Sequence, residues 1–381
     1  MSRVLPFVVF LAIALSLVGG MHYYVWARLV RDPHLPPLAA RIATLVIVAL
    51  GLSMPLALIA SRLFHASFRP ALFVVFIWMG VGFLFVAFLG LADAGRLIGT
   101  LVQRLRSPLL PVDPQKRLFL ARTLAVGVGG VVAGLSAVGV RNALGAVQVK
   151  ELEVKLRGLP PALAGFRLVQ ISDVHVGALL RKDWVGHVVD RIRSLSPDLV
   201  AITGDLVDGS VDELREHVAP LSRLEAKHGV FFSTGNHDHY SGADAWCAHL
   251  PTLGVQPLRN RRVEIAPGLD LAGVEDPSGA PDLTRALAGR DPSRALVLLA
   301  HQPRQFAEAA RHGVGLTLSG HTHGGQIWPF SWLVALAQPY LAGLHARGES
   351  QLYVSRGTGF WGPPMRVLAP AEITLIRLQP A

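Results

Sequence analysis

The hydrophobic positions divide the chain into two parts with different patterns. Up to about residue 140, apolar residues form long runs, each near the roughly 20 residues that a helix needs to cross a bilayer. Four runs predict membrane spans: about Val4–Trp26, Ile42–Ala60, Ala71–Leu91 and Thr123–Val140. The fourth is shorter and rich in Gly, Ala and Val, so it also resembles the apolar region of an export signal. The pattern predicts an N-terminal bundle of about four transmembrane helices within residues 1–145.

From about Leu152 onward, short apolar runs alternate with longer segments of mixed polarity. Short runs of branched and aromatic residues predict buried strands, and the longer segments between them predict helices. The predicted strands are Phe166–Ile171, Leu199–Ile202, Val230–Ser233, Leu269–Val274, Leu296–Leu299, Gly315–Leu318, Leu352–Val354 and Ile373–Leu378. The predicted helices are Lys182–Leu195, Val211–Leu224 and Pro303–Ala310. This alternation is typical of an α/β sandwich with layered sheets, here over residues 150–381.

The charges follow the same division. Residues 1–149 hold 13 Lys and Arg but only 3 Asp and Glu, whereas residues 150–381 hold 23 of each, so the formal net charge of +10 belongs to the first part. Those basic residues flank apolar runs, and the second part has balanced charge, which argues against a nucleic-acid-binding protein. The single cysteine, Cys247, excludes an intramolecular disulfide and a paired-cysteine metal site, and we expect it to be a buried apolar residue.

The Lys and Arg residues between the apolar runs predict an orientation. The loops after the first and third runs carry nine of them, whereas the opposite side carries four. Since basic loops tend to stay in the cytoplasm, the N-terminus and everything after Val140 are predicted to lie outside it. Residues 116–120 also resemble a twin-arginine export motif with Lys in first place, although an ordinary basic segment before a helix has the same composition. We therefore predict a multi-pass protein of the bacterial inner membrane with a periplasmic second domain.

Acidic, amide and imidazole side chains follow five of the predicted strands. In chain order they are Asp173 with His175, Asp205, Asn236 with His237 and Asp238, His301, and His321 with His323. Loops at the carboxyl ends of strands in an α/β sheet converge on one crevice, so these side chains are expected to meet. Each motif alone has an ordinary structural explanation, such as a surface turn or a hydrogen-bonded core histidine. Their shared position after strands favours a single site.

In this order, the motifs D-x-H, G-D, G-N-H-D, H and G-H-x-H resemble those of the calcineurin-like metallophosphoesterase family, over roughly Phe166 to Leu378. The segments Gly320–Gln326 and Tyr353–Gly357 are similar to the membrane-associated bacterial branch of that family. This branch includes export-signalled phosphodiesterases and one type of UDP-2,3-diacylglucosamine pyrophosphatase. The resemblance implies a four-layer α-β-β-α sandwich and a metal-dependent hydrolase of phosphoric ester or pyrophosphate bonds.

The resemblance also implies two divalent metal ions. One would be held by Asp173, His175, Asp205 and His323, and the other by Asp205, Asn236, His301 and His321, with Asp205 shared. Carboxylate, imidazole and amide ligands together suit Mn, Fe or Zn, and Mn is the first expectation. A hydroxide that bridges the two ions would attack phosphorus. His237 would act as general acid or as a hydrogen-bond donor to the phosphate, oriented by Asp238. Asp208 is either a supporting residue or a solvated helix cap.

Three further features bear on the substrate and on other functions. Arg356, in a Ser-Arg-Gly turn, either binds substrate phosphate or forms a structural ion pair. The apolar segment Ile327–Leu336 is expected to lie against a bilayer or an acyl chain, or else to pack as a buried helix.

The membrane helices make a phospholipid or another lipid-linked phosphate the first expected substrate. Soluble nucleotides and a catalytically silent membrane scaffold are the alternatives, and the oligomeric state stays open. The apolar runs show no charge pair of the kind that marks an ion pathway, which disfavours a transporter.

Overall fold

The computed structural model describes residues 4–63, 69–106 and 113–381 of the chain. It contains two compact units, residues 1–140 with 362–364, and residues 141–361 with 365–381. The first four helices are α1 (Val4–Trp26), α2 (Pro37–Leu63), α3 (Arg69–Arg106) and α4 (Pro114–Leu144). A π-helical turn, Ala27–Arg31, follows α1.

Three helices within the described ranges are long and apolar enough to cross a membrane. They are Pro37–Ala57, Pro70–Leu105 and Pro114–Leu144. These three candidate helices overlap the second, third and fourth of the predicted spans. The span over Val4–Trp26 stays a prediction.

The first unit contains a charge pair that the sequence pattern does not reveal. The guanidinium of Arg28 lies 2.8 Å from the Asp93 carboxylate and 2.7 Å from that of Asp32. The Tyr24 hydroxyl also donates to Asp93, at 2.6 Å. Arg28 and Asp93 lie just outside the predicted apolar runs and are 34% and 26% exposed, so this pair does not contradict the expectation made for the runs themselves.

The second unit contains twelve strands and seven further helices. The strands are β1 (Gln148–Leu156), β2 (Phe166–Ile171), β3 (Leu199–Thr203), β4 (Val230–Ser233), β5 (Val255–Pro257), β6 (Arg261–Ala266), β7 (Leu269–Gly273), β8 (Ala295–Leu299), β9 (Leu316–Ser319), β10 (Gly343–Arg347), β11 (Ser350–Val354) and β12 (Glu372–Pro380). The helices are α5 (Lys182–Ser194), α6 (Val211–Val218), α7 (Asn236–Tyr240), α8 (Ala243–His249), α9 (Leu283–Ala286), α10 (Phe306–Arg311) and α11 (Phe330–Ala337).

The strands form two six-stranded sheets. The first has the spatial order β1-β12-β2-β3-β4-β5, and the second has the order β10-β11-β9-β8-β7-β6. The central strands β2, β3 and β4 are parallel neighbours, as are β7, β8, β9 and β11 in the second sheet. Within each sheet the carboxyl ends of these strands therefore lie on one edge. Strand β12 lies between β1 and β2, parallel to β1 and antiparallel to β2.

Three buried apolar clusters separate the layers. The cluster between the sheets combines Leu168 of β2 with Leu271 of β7 and other inward-facing residues. The outer face of the first sheet packs against helices such as α5, through Val169 and Val188. Helices α9 and α10 cover the outer face of the second sheet. Both faces of β2 are thus buried, which explains why the adjacent residues Leu168 and Val169 are both apolar. The layer order is the α-β-β-α arrangement that the resemblance implies.

Candidate metal centre

Each motif predicted to bind metal lies in the loop that follows a strand. Asp173 comes two residues after the end of β2, Asp205 two residues after β3, and His301 two residues after β8. Asn236 begins α7 shortly after β4, and His321 comes two residues after β9. Both sheets therefore contribute side chains to the site.

The backbone in these loops is held in an unusual conformation. Five of the seven predicted ligands have a left-handed backbone: Asp173, His175, Asp205, His321 and His323, with φ of 52°, 51°, 49°, 70° and 52°. This conformation costs a residue other than glycine about 1–3 kcal/mol and is typical of functional sites. Such a concentration of strained residues therefore indicates a functional site.

The first group of facing side chains contains Asp173, His175 and His323. Their potential ligand atoms all lie within 4.8 Å of one another. The two Nε2 atoms of His175 and His323 are 3.0 Å apart, and Asp173 Oδ1 is 3.4 Å from His323 Nε2. His175 donates its Nδ1 proton toward the Asp208 carboxylate, at 3.1 Å. Its Nε2 lone pair is therefore directed into the group.

The second group contains Asp205, His301, His321 and Asn236. Asp205, His301 and His321 can offer ligand atoms within 4.8 Å of one another, and His321 Nδ1 is 2.9 Å from Asn236 Oδ1. Asp205 joins the two groups, because its Oδ2 atom lies 3.1 Å from His301 Nε2 and 3.9 Å from His175 Nε2. All seven predicted ligands thus meet in one cluster.

The donors fit a divalent metal ion. His301 donates from Nδ1 to the Thr203 carbonyl, at 2.8 Å, so its Nε2 is the nitrogen directed at Asp205. Its buried Nε2 makes no hydrogen bond, since the nearby Asp205 oxygen lies outside hydrogen-bond geometry. An orphaned imidazole nitrogen beside a carboxylate oxygen is the arrangement that a bound cation would satisfy.

The electrostatics of the cluster agree with this reading. Burial opposes ionisation of Asp205, but the charge of His301 outweighs it and lowers the pKa of this carboxyl. Burial likewise opposes protonation of His301, but Asp205 raises the pKa of that ring to about 10. Burial raises the pKa of Asp173, and the charge of Asp205 adds to this effect. The carboxylates therefore favour a positive charge at His301 Nε2, which a divalent ion would bring in place of the proton.

The carboxylate that contacts His237 is that of Asp208, whereas the sequence predicted Asp238. Asp208 Oδ1 accepts from His237 Nδ1 at 2.7 Å. Asp238 instead accepts from the backbone N–H groups of Gly235, at 2.7 Å, and Leu206, at 2.9 Å, because its position in the first turn of α7 points it at these donors. Burial, with the charge of Asp205, raises the pKa of Asp238 to about 7. Asp238 therefore holds two loops together.

Asp208 also contacts His175, so it is the supporting residue of the two alternatives. The helix cap of α6 is Ser210, in a capping box with Glu213. Burial opposes ionisation of Asp208, but His175 and His237 outweigh it and lower the pKa of the carboxyl to about 2.

The surroundings of the cluster include residues that the sequence did not single out. Two exposed aromatic residues, Tyr240 and Trp361, each place their ring 5.5 Å from that of His237. The fully buried Arg366 donates to the carbonyls of His323, Arg356 and Gly359. Tyr240 lies at the end of α7, four residues after Asn236, whereas Trp361 and Arg366 belong to no motif and follow the last ligand, His323, at a distance in sequence.

Arg356 forms the ion pair that was one of its two alternatives. Its Nη1 atom lies 3.2 Å from the buried Glu372 carboxylate, and its side chain is 29% exposed. Its aliphatic part lies against Gly324 of the His323 loop.

The sandwich and the cluster at its strand ends define a metal-dependent phosphoester hydrolase. The chain belongs to the calcineurin-like phosphoesterase family, whose model matches residues 166–325. This confirms the predicted family, and the family's use of divalent metals confirms the coarse cofactor prediction.

Three relatives extend the similarity. An uncharacterized metallophosphoesterase from Helicobacter pylori is 40% identical over 275 residues, covering 70% of this chain and 73% of the relative. A transmembrane protein with metallophosphoesterase domain from Bos taurus is 36% identical over 399 residues, covering 97% and 88%. An uncharacterized metallophosphoesterase from Campylobacter jejuni is 31% identical over 393 residues, covering 98% and 99%. Two of these relatives match nearly the whole chain, so the similarity includes its apolar helices. The apolar helices and the transmembrane relative indicate that this chain is a membrane protein.

Proposed function

We propose that this protein is a membrane-anchored phosphoesterase with two metal ions, which hydrolyses a phosphodiester or pyrophosphate bond of a lipid-linked substrate. One observation carries the two-metal part. Asp205 Oδ2 faces His301 of one donor group and His175 of the other. A carboxylate shared in this way is the ligand that two adjacent ions require.

In this proposal Asp173, His175, Asp205 and His323 hold one ion, and Asp205, Asn236, His301 and His321 hold the other. When bound, the pair supplies Lewis acidity, which activates water and neutralises phosphate oxygens. The mixed donors favour Mn, with Fe and Zn as alternatives.

His237 is the proposed proton donor to the leaving group. Its Nδ1 is bonded to Asp208, so its Nε2 is the nitrogen left to contact substrate. Asp208 fixes the orientation of the ring and, through His175, ties it to the metal ligands. Asp238 supports His237 through the backbone, since it joins the start of α7 to the loop after β3.

Two observations support a lipid-linked substrate over a soluble nucleotide. Three helices in the described ranges are long and apolar enough to cross a membrane, and helix α11, which follows the His323 loop, has no buried residue. The complete donor cluster argues against the catalytically silent scaffold, since a retired site has no physical need for seven convergent ligands.

The cellular placement is also a proposal. The excess of Lys and Arg after the first and third apolar runs supports a multi-pass protein of a bacterial inner membrane with a periplasmic catalytic unit. A compartment-sensitive reporter fused after Ala381 is expected to be active only in its periplasmic form. A reporter active only in the cytoplasm would contradict this orientation.

The activity is tested with the full chain, purified in detergent and loaded with Mn. We expect hydrolysis of a lipid-linked diester or pyrophosphate in mixed micelles, and a loss of activity by Asp205→Asn of at least about 100-fold. Asp212→Asn, an exposed carboxylate change on α6, is the matched control. Activity confined to soluble nitrophenyl diesters would overturn the lipid substrate. Turnover that survives both Asp205→Asn and His237→Ala would overturn the assigned chemistry.

A further inference from the structure

Helix α11 is apolar and yet has no buried residue. Its sequence, FSWLVALA, has no charged side chain. Trp332 is 54% exposed, Leu333 58% and Leu336 86%. Residues three and four positions apart share a helix face, so these three side chains form one apolar face, here called the α11 face. A face of this kind on a globular domain marks an interaction surface, since water is a poor solvent for it.

Helix α11 packs against the loop that carries His323, one of the predicted metal ligands. A Cβ atom on Gly325, two residues after His323, would lie 2.4 Å from the Ser331 Cα of α11. Gly325 also has φ of +78°, so this position needs glycine for both reasons. Gln326 then binds the backbone of Trp361 through both ends of its amide, at 2.9 and 3.0 Å. The helix therefore has a fixed position beside the metal-binding loop.

The same region is connected to the end of α4. The last turn of α4, from Arg141, belongs to the catalytic unit, and Asn142 donates to the Arg366 carbonyl at 3.2 Å. The next residue, Val367, bridges to Ile327 and accepts from the Trp328 N–H at 3.1 Å. A short series of contacts thus joins the end of a candidate membrane helix to the segment that precedes α11.

A further exposed apolar residue, Leu368, lies next to these contacts. Leu368, adjacent to Val367, is 75% exposed and has a left-handed backbone with φ of 58°. An exposed leucine in that conformation is costly in water and packs against little of the protein. Its exposure beside Ile327 extends the apolar surface beyond the α11 face.

We propose that the α11 face, with Leu368, lies in the interfacial region of the lipid bilayer that the chain's own apolar helices enter. The occupant is a bilayer and not an unknown partner, because α4 ends next to this surface and only three residues separate Leu144 from β1. An uncharged helix with Trp at one end of its apolar face suits the boundary between headgroups and acyl chains. The surface would keep the loop that carries His323 at headgroup level. This inference does not depend on the bond that the enzyme hydrolyses.

The proposal is tested with the full chain in phosphatidylethanolamine/phosphatidylglycerol nanodiscs that contain lipids carrying a quencher. An environment-sensitive fluorophore is placed on Leu336→Cys in a Cys247→Ala background. The control carries it on Glu225→Cys, whose side chain is 76% exposed and lies outside the apolar surface. Since an interfacial helix buries its apolar face about 5–10 Å deep, lipids with a spin label near the headgroup should quench position 336 at least about twofold more than position 225.

The quenching results decide the proposal, and turnover serves only as a control. Equal quenching and equal water exposure at positions 336 and 225 would overturn it. In a nanodisc with two copies, a label at position 336 that is shielded from water but not quenched by lipid would overturn the bilayer as the occupant of the α11 face. That result would indicate a second copy of the chain instead. A double change, Leu333→Ser with Leu336→Ser, should reduce the quenching of a label on Trp332→Cys while hydrolysis of a soluble diester is unchanged. If the unaltered chain does not hydrolyse a soluble diester, that result counts against the proposed function and leaves the position of the α11 face unaffected.

Discussion

Asp208 accepts from two imidazole rings with different proposed tasks, one holding a metal ion and one donating a proton. Asp208→Asn keeps the size of the side chain but removes its charge. We expect kcat to fall by about 10- to 100-fold, the usual effect of losing a group that orients ligands. Metal content, measured on the same samples, separates a loss of ions from a misplaced His237. Asp212→Asn should change neither quantity. Unchanged kcat in Asp208→Asn would mean that another group orients His237.

Arg356 is predicted to contact substrate phosphate, and it also neutralises the buried Glu372. Arg356→Gln would leave that carboxylate without its cation, so the melting temperature should fall. Because Arg356 is partly exposed, solvent screening keeps the cost near 1–2 kcal/mol. A KM that rises while kcat is retained would support the substrate contact. A lower melting temperature with unchanged KM would reduce Arg356 to its structural role.

Sequence reasoning identified the donor cluster but not its supporting residues. Asp173, His175 and His323 belong to short motifs whose spacing already indicates where the side chains will meet. The partner of His237 could not be chosen in this way, because Asp208 and Asp238 both lie close to ligands in sequence. The choice depends on direction, since the first turn of α7 turns Asp238 toward backbone N–H groups. Arg366 carries no motif at all, and its role is set entirely by tertiary packing.

At the scale of elements, the predicted strands are central and the missed strands are edges. Strands β1, β5, β6 and β10, which the apolar pattern did not predict, are the outer strands of the two sheets. An edge strand has a neighbouring strand on one side only, so more of its side chains contact solvent. Polar and apolar residues are therefore interspersed in it, as in the QVKELEVKL sequence of β1. The central strands, in contrast, are mostly apolar and buried, as in the LVAIT sequence of β3 and the ALVLL sequence of β8. Hydrophobic patterning therefore predicts the core of this fold and misses its borders.

The loop after β9 depends on a glycine for the close approach of two strand ends. A Cβ atom on Gly320 would lie 2.0 Å from Ser172 Oγ and 2.2 Å from Asp173 Oδ2. Gly320→Ala should therefore displace Asp173, lower the melting temperature and reduce metal content, at a cost of about 1–3 kcal/mol or more. Gly134→Ala in α4, where the added methyl meets nothing within 4 Å, is the control. Full metal content in Gly320→Ala would contradict the proposed position of Asp173 at the ions.

At the scale of the whole molecule, the metal ions should stabilise the catalytic unit. Ions that bind only the folded state add about 2.7 kcal/mol when present at 100 times their dissociation constant. Chelation should therefore lower the melting temperature of that unit, and Mn or Zn should restore it. The shift should be smaller in Asp205→Asn, which removes the shared carboxylate. A melting temperature that ignores both chelator and added metal would argue that the cluster binds no ion.

The position of β12 bears on the order in which the catalytic unit can assemble. This strand lies between β1 and β2, although it follows every other strand in the chain. While the ribosome is still making residues before Glu372, β1 has no neighbour in its sheet. The nascent domain would thus remain open until its last strand emerges, a state suited to passage through a translocation pore. Pulse proteolysis of ribosome-bound chains ending before and after β12 would show whether protection arises only in the longer chain.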